Sequence, residues 1–413
     1  MNSKIDLMKY VADKEDIDPE SFIIADYVYS GRENWIKLGA KIAAEQSTGT
    51  WVEVAGERDI VERHGARVFD GDFNGRQGKL RIAFPVENLN PRDGIPMLLS
   101  TIAGNLFGMK VVEKIRLEDV HIPNSYMKAF NGPKYGIEGL RKIIGSEGRP
   151  HIGTIIKPDV GLPPDVFAEY CYEAAIGGVD FIKDDELLGD PAHSPRFERL
   201  NRVMEALDRV REETGRTVLY ALNITTRMSK IVEVAEKAKE EGANCVMINA
   251  VTLGLSSIRA VSETVDIPIH VHRDMHAAFT RDKSHGISML VLAKLIRLVG
   301  GDQLHTGAVG KMQGNVKEIQ EINHFLRSEW YGLKTTMPVA SGGIHPSLVP
   351  ANLDAFGIDI VLQAGGGIMA HPMGIRAGAR AMVQAMEASL KGISLREYAK
   401  NHEELKVALN TFG

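Results

Sequence analysis

Three consecutive acids follow a short apolar run in the segment Phe181-Ile182-Lys183-Asp184-Asp185-Glu186. So much like charge at the end of a buried strand brings repulsion and a desolvation cost. A divalent cation offsets both, and Asp185 and Glu186 offer the hard oxygen donors that suit magnesium. Lys183 is out of place beside them as an ammonium. After reaction with CO2, however, its amine becomes a carbamate, which is an anionic oxygen ligand. The competing reading is a solvated acidic loop with Lys183 as an ion-pair partner, and position in the fold decides between the two. Two glycine runs, Ser341-Gly342-Gly343 and Gly365-Gly366-Gly367, form a second feature. Glycines at strand ends let backbone N–H groups come close to an anion, although either run alone would read equally well as a tight turn. With Arg273, His305 and Lys311 as companions, the pair of runs favours a phosphorylated ligand. The segment His270-Val271-His272-Arg273-Asp274-Met275-His276 invites a zinc site. That reading is set aside, because His270 falls deeper along its strand, as a packed core residue, and no third soft ligand set accompanies it. His272 suits proton transfer and Arg273 suits clamping a phosphate.

These residues need elements to hold them. From about residue 150, short apolar runs alternate with amphipathic stretches. The runs are 151–157, 179–183, 217–224, 244–250, 267–273, 303–307, 337–343 and 359–367. Their nearly continuous apolar character fits strands covered on both sides. A doubly wound open sheet would alternate in the same way. The count of eight favours a parallel (β/α)8 barrel. In such barrels the chemistry lies at the C-terminal ends of the strands. Here those ends carry Lys157, then Lys183 to Glu186, then His272 and Arg273, then His305 with Lys311 in its loop, and finally the two glycine runs. That placement favours the metal site over the solvated loop. Before about residue 130 the pattern is mixed. The segments 23–30 and 79–88 read as strands, and 33–46 and 90–108 as helices. The fold class is therefore α/β: a small α+β N-terminal domain over 1–130 and a C-terminal (β/α)8 TIM barrel over 131–413. A connector with one short helix opens the second.

Composition narrows the partners. Lys and Arg total 49 and Asp and Glu 54, a net charge of −5, so no electrostatic footprint for nucleic acid or an anionic membrane is present. The polar N-terminus has no signal-peptide core, and no apolar run reaches the length of a membrane span. A cytoplasmic location is expected. Cys171 and Cys245 lie in apolar contexts and read as buried small hydrophobes rather than a disulfide.

Taken together, GGVDFIKDDE, TIIKPDVGL, IHVHRDMHA, HTGAVGKMQG, PVASGGIHP and LQAGGGIMAHPMG resemble, in order, motifs of the ribulose-bisphosphate carboxylase (RuBisCO) large chain and its relatives. The resemblance runs along nearly the whole chain. It implies that Lys183 is carbamylated and holds Mg2+ together with Asp185 and Glu186. It implies that Lys157 is the enolising acid or base and His272 a proton-transfer residue. Lys311 becomes the mobile-loop lysine that closes over substrate. Arg273, His305 and Ser341 would bind one phosphate or polar end, and Gly342, Gly343, Gly365 and Gly366 would line the phosphate sites. In the N-terminal domain, AAEQSTGTW and GNLFG resemble the segments that reach into a partner subunit's active site, through Glu45, Thr50, Trp51 and Asn105. A homodimer, or a multiple of dimers, with shared active sites follows.

Departures from the carboxylase pattern also stand in the sequence. Asp159 takes the place of a second lysine after Lys157-Pro158, and an acid there should stabilise the Lys157 cation and raise its pKa. Ile155 replaces a threonine, and the Lys311 loop is about one residue shorter. Asn105 stands where the methylthiopentyl-phosphate enolases place a lysine base. These departures point to a RuBisCO-like protein of form IV, forming an enediolate from a ketose phosphate or 3-oxo sugar-acid phosphate as a decarboxylase or transcarboxylase. The alternatives are an enolase or isomerase of methylthio-sugar phosphates, a true ribulose 1,5-bisphosphate carboxylase, and an inactive sugar-phosphate binding protein. An unrelated barrel aldolase is disfavoured by AAEQSTGTW and GNLFG.

Overall fold

The computed structural model describes residues 6–49, 57–310 and 315–413. The chain forms two compact units. One comprises Met1–Phe130 with Met275–Leu295, and the other Asn131–Asp274 with Ile296–Gly413.

The first unit is built on the strands β1 (Phe22–Ser30), β2 (Arg67–Phe73), β3 (Gln77–Pro85) and β4 (Lys114–His121). β1 lies antiparallel between β3 and β4, and β2 pairs with the far side of β3. Along β3 the residues Leu80 and Ile82 are fully buried while Lys79 is exposed, the alternation of a sheet with one covered face. The helix Trp35–Glu45 starts where the Asn34 side chain accepts from the backbone N–H of Lys37, and it buries Leu38, Ile42 and Ala43. Gly39 allows its close approach to β2, since a Cβ there would fall 2.4 Å from Val68 Cγ2. β2 and β4 were not expected from the sequence. β2 carries an Asp-Gly-Asp break and a register shift between Val68 and Asp70, which interrupts its alternation. In β4 the residues Ile115, Arg116 and Leu117 are buried in a row, and the middle one is an arginine. Arg116 donates to Glu118 Oε2 at 2.7 Å and to the carbonyls of Thr280 and Asp282 at 3.1 and 2.7 Å.

The second unit is the eight-stranded barrel the sequence predicts. Its strands are β5 (His151–Ile155), β6 (Phe181–Lys183), β7 (Leu219–Asn223), β8 (Cys245–Asn249) and β9 (Ile269–His272). Past the two-residue strand Gly286–Ile287 (β10) come β11 (Gln303–His305), β12 (Met337–Ser341) and β13 (Val361–Ala364). All eight pair in parallel, and β9 closes on β11. The strands alternate with helices such as Pro164–Gly177, Arg196–Thr214 and Ile375–Leu390. The beginnings of the strands are plugged. Ile137, Leu140 and Ile144 of the helix Gly136–Ile144 pack on Phe181, Leu219, Cys245, Met337 and Val361. Each such buried aliphatic side chain contributes about 2 kcal/mol. Asp302 fixes this plug, accepting from the N–H groups of Tyr135 and Gly136 at 2.7 and 2.9 Å and from Ile269 at 2.9 Å. With one end filled, the opposite strand ends are left for chemistry. Cys171 and Cys245 are buried and free, as the sequence predicts. Among the described residues, no helix is long and apolar enough to cross a membrane.

Burial gives this barrel an acid-side weakness. It pulls the His151 imidazole down to about 4, and pulls His270 and His305 well below their ordinary 6.5. All three are therefore neutral when folded, but each takes up a proton near pH 6.5 when unfolded. Their contribution is complete above pH 6.5 and is lost as pH falls from there. His151 alone withdraws about 3 kcal/mol between pH 6.5 and 4. Asp302, pushed up to about 6 by burial, works in the opposite direction over the same range. Asp185 and Asp274, also raised by burial, act with Asp302, but the three imidazoles shift further and leave a net loss. The urea midpoint should therefore drop clearly between pH 7 and 4.5, and a flat profile would show that these rings are not buried as neutral groups.

Candidate active site at the barrel strand ends

The end of β6 brings Lys183 and the acids together, and alternation divides their work. Asp184 points into the protein. Arg199 donates to it from Nη2 at 2.9 Å and Nε at 3.2 Å, the Tyr220 hydroxyl at 2.5 Å, and the Asn223 backbone N–H at 2.9 Å. Asp184 and Arg199 are both fully buried. With its acceptor sites filled, Asp184 is a brace. Asp185 and Glu186 remain available. Lys183 is fully buried, and its Nζ donates to the Asp184 carbonyl at 2.8 Å and to Glu186 Oε2 at 3.2 Å. Burial pulls its pKa down against the pull of Glu186 and Asp185. That moves Lys183 toward the neutral amine, the form able to react with CO2.

Lys157 lies two residues past β5. Its Nζ donates to Asp185 Oδ2 at 2.8 Å and is in close contact with Asp159 Oδ1. Burial lowers its pKa, but the Asp159 and Asp185 carboxylates outweigh burial and the net shift is upward. This is the effect expected from the Asp159 replacement. Asp185 is itself pushed up, first by burial. The Leu187 N–H donates to its Oδ1 at 3.1 Å.

From β9, His272 Nε2 comes to 3.5 Å from Glu186 Oε2, and its ring meets His305 edge-on at 4.5 Å between centroids. His305, on β11, is buried, and its Nδ1 lies 2.7 Å from Ser341 Oγ at the end of β12. Arg273 keeps part of its side chain exposed, while burial of its guanidinium draws the pKa down to about 10, still cationic at neutral pH. Gly342 and Gly343 have φ of +101° and +73°, a region that needs glycine. At the end of β13, a Cβ on Gly365 would lie 3.6 Å from Lys157 Cε, and Gly366 has open space. So Lys157, Lys183, Asp185, Glu186, His272, Arg273, His305, Ser341 and the four glycines all gather at one end of the barrel. In the other unit, Glu45 and Asn105 are paired, with Asn105 Nδ2 donating to Glu45 Oε1 at 3.1 Å. They line a cleft of about 450 Å³ with Gly108, Met109, Lys110 and Val111. Thr50, Trp51 and Lys311 lie outside the described residues.

Two site residues were missed from the sequence. Asn223 and Asn249, at the ends of β7 and β8, donate to the Glu186 carbonyl at 3.3 and 3.0 Å and hold the acidic turn in place. Their position at strand ends was the available signal. Among the described residues, no group of three His, Cys, Asp or Glu side chains is placed to hold a metal ion. The donor set does fit a hard cation once Lys183 is carbamylated. Two carboxylates and a third anionic oxygen then share one turn, and Asp185 already bears the upward shift of a buried acid.

A parallel eight-stranded barrel with lysines, carboxylates and a histidine gathered at its strand ends defines a (β/α)8 barrel of the enzyme type. The family model described as ribulose bisphosphate carboxylase large chain, catalytic domain, matches residues 136–412, and that of the N-terminal domain matches 11–126. The chain belongs to the ribulose bisphosphate carboxylase large chain family. It is 43% identical over 381 residues to the ribulose bisphosphate carboxylase of Pyrococcus abyssi, covering 91% of this chain and 90% of that one. It is similar to the octameric ribulose-1,5-bisphosphate carboxylase/oxygenase of Pyrococcus horikoshii OT3, solved with sulfate. The TM-score is 0.94 and the identity 39%, covering 100% and 98% of the two chains. A RuBisCO-like protein of Burkholderia fungorum matches at TM-score 0.87 and 32% identity, covering 95% and 100%.

These likenesses correct the function expected from the sequence. The form IV reading, with a decarboxylase, transcarboxylase or isomerase activity, rested on Asp159, Ile155 and the Lys311 loop. Relatives named as carboxylases are more similar over nine-tenths of both chains than the RuBisCO-like neighbour is. Three local departures at two strand ends do not outweigh that whole-chain likeness.

Proposed function

We propose that the chain carboxylates ribulose 1,5-bisphosphate. The observation that carries this reading is the buried Lys183 amine, lowered in pKa and 3.2 Å from Glu186 beside Asp185, in a chain so similar to named carboxylases. Carbamylated Lys183, Asp185 and Glu186 would hold Mg2+. Bound there, the ion would supply Lewis-acid stabilisation of negative charge on adjacent substrate oxygens. The protein's own groups do the rest. His272 moves protons as the enediolate forms. Arg273, Ser341 and the backbone at Gly342, Gly343, Gly365 and Gly366 bind the phosphates and polar oxygens, with His305 Nδ1 holding the Ser341 hydroxyl in place. Lys311 covers the substrate and excludes water. Cleavage of the hydrated six-carbon product leaves one fragment as a carbanion. Lys157, held cationic by Asp159 and Asp185, is the acid that protonates it at Nζ. Glu45, Thr50, Trp51 and Asn105 complete the site of a second subunit, so the working form is a homodimer or a multiple of dimers.

The test is incubation with magnesium, labelled bicarbonate and ribulose 1,5-bisphosphate, followed by mass spectrometry of the products. Labelled 3-phosphoglycerate is expected, and its absence in the magnesium-loaded protein would refute carboxylation.

The role of Lys157 has its own check. Asp159→Asn removes one of the two carboxylates that raise the Lys157 pKa, leaving burial less opposed. Activity that depends on protonated Lys157 should then fade at a lower pH than in the parent protein. A pH–rate profile whose alkaline limb does not move would show that Lys157 is not the titrating acid.

A further inference from the structure

His270 reads from the sequence as packed core, and the mechanism above gives it no task. It is fully buried, yet both ring nitrogens are engaged. Nδ1 lies 2.8 Å from Gln303 Oε1, and Nε2 lies 2.8 Å from His305 Nε2. His305 Nδ1 then lies 2.7 Å from Ser341 Oγ. Four side chains from β9, β11 and β12 thus form one hydrogen-bonded line from the barrel interior to a strand end.

Burial keeps both rings neutral, so each has one N–H and one lone pair. The protons can therefore be ordered in two ways. In the first, His270 Nδ1–H donates to Gln303 Oε1, His305 Nε2–H donates to His270, and the Ser341 hydroxyl donates to His305. Ser341 then offers only lone pairs to a ligand. In the second, the Gln303 amide is turned over and donates to His270, and every bond reverses. His305 Nδ1–H then donates to Ser341, and the Ser341 proton is free to point at a ligand. The amide is poised for this turn. Among the described residues Gln303 Nε2 has no hydrogen-bond partner, so turning it exchanges one unsatisfied group for another.

We propose that Gln303 and His270 are positioning residues that set the hydrogen-bond direction of His305 and Ser341, and that an anionic group bound at Ser341 reverses it. The ligand chemistry is a phosphate or carboxylate oxygen, which can only accept. The proposal rests on the reading above in one respect, that Ser341 faces the substrate. The test uses the full-length protein labelled with 15N in its histidine rings, so that nitrogen chemical shifts report which ring atom carries the proton. Inorganic phosphate is the probe. Without it, His270 should be protonated on Nδ1 and His305 on Nε2. With it, the protons should move to His270 Nε2 and His305 Nδ1. Ser341→Ala should weaken phosphate binding roughly tenfold and leave the tautomers unresponsive to phosphate. Gln303→Met, which removes the acceptor for the Nδ1 proton, should show the second order before phosphate is added. Tautomers that stay the same with phosphate, or a phosphate affinity that Ser341→Ala leaves unchanged, overturn the proposal. No turnover is measured, so failure to carboxylate ribulose 1,5-bisphosphate and failure of this relay are separate results.

Discussion

Lys183→Ala should lose turnover by roughly four orders of magnitude or more while the barrel remains folded. The argument begins with burial. Lys183 Nζ is enclosed and hydrogen-bonded to the Asp184 carbonyl and to Glu186, and its pKa is drawn down by burial. A neutral amine in that position can take up CO2, and the resulting carbamate adds the third anionic oxygen to Asp185 and Glu186. Alanine removes the amine and with it the proposed third ligand. It also leaves a cavity at the end of β6, costing about 2–4 kcal/mol, so urea unfolding must accompany the assay. Trapping of 13C-labelled CO2 on the parent protein but not on the variant, with both folded, separates loss of the ligand from loss of structure. Turnover in the variant near the parental rate would end the metal-carbamate reading.

Arg199→Ala should destabilise the protein by about 3–5 kcal/mol, the largest stability effect we expect from one exposed-to-none side chain at the site. Asp184 and Arg199 are both fully buried and meet through two charge-assisted hydrogen bonds. Without the guanidinium, a carboxylate stays buried with the Tyr220 hydroxyl and the Asn223 N–H as its remaining donors. The double variant Asp184→Leu with Arg199→Met removes both charges and should cost less than Arg199→Ala alone. Denaturant midpoints for the three proteins make the comparison. If Arg199→Ala proves the milder change, the pair is not the brace described here. Activity should fall with stability in Arg199→Ala, because Asp184 is bonded in sequence to Lys183 and Asp185, two of the three proposed metal ligands.

Much of this was legible because barrel chemistry lies at strand ends. All eight apolar runs became barrel strands, and every described site residue named for the barrel gathers at one end. What escaped has physical reasons. Strands β2 and β4 hide their alternation, one behind a register shift and the other behind a buried arginine. The run Asp184-Asp185-Glu186 read as one acidic feature, and only the backbone alternation shows that Asp184 faces Arg199 and away from its neighbours. Asn223 and Asn249 passed unnoticed because uncharged residues carry no signal of desolvation cost. The influence of Asp159 on Lys157 was read in the right direction, but too much was drawn from it. An ion pair fixes a proton's location and does not name a substrate.

The return of residues Met275–Leu295 to the first unit bears on how the chain is made. Gly286–Ile287 adds in parallel to β4, and Thr280 and Asp282 supply the carbonyls that Arg116 needs. On a ribosome, the first 130 residues emerge well before those partners exist. Until then β4 is a bare edge, open to pairing with another nascent chain, and Arg116 has two of its acceptors still to be synthesised. The amino-terminal unit is thus translated first but finished late, after β5 to β9 have already appeared.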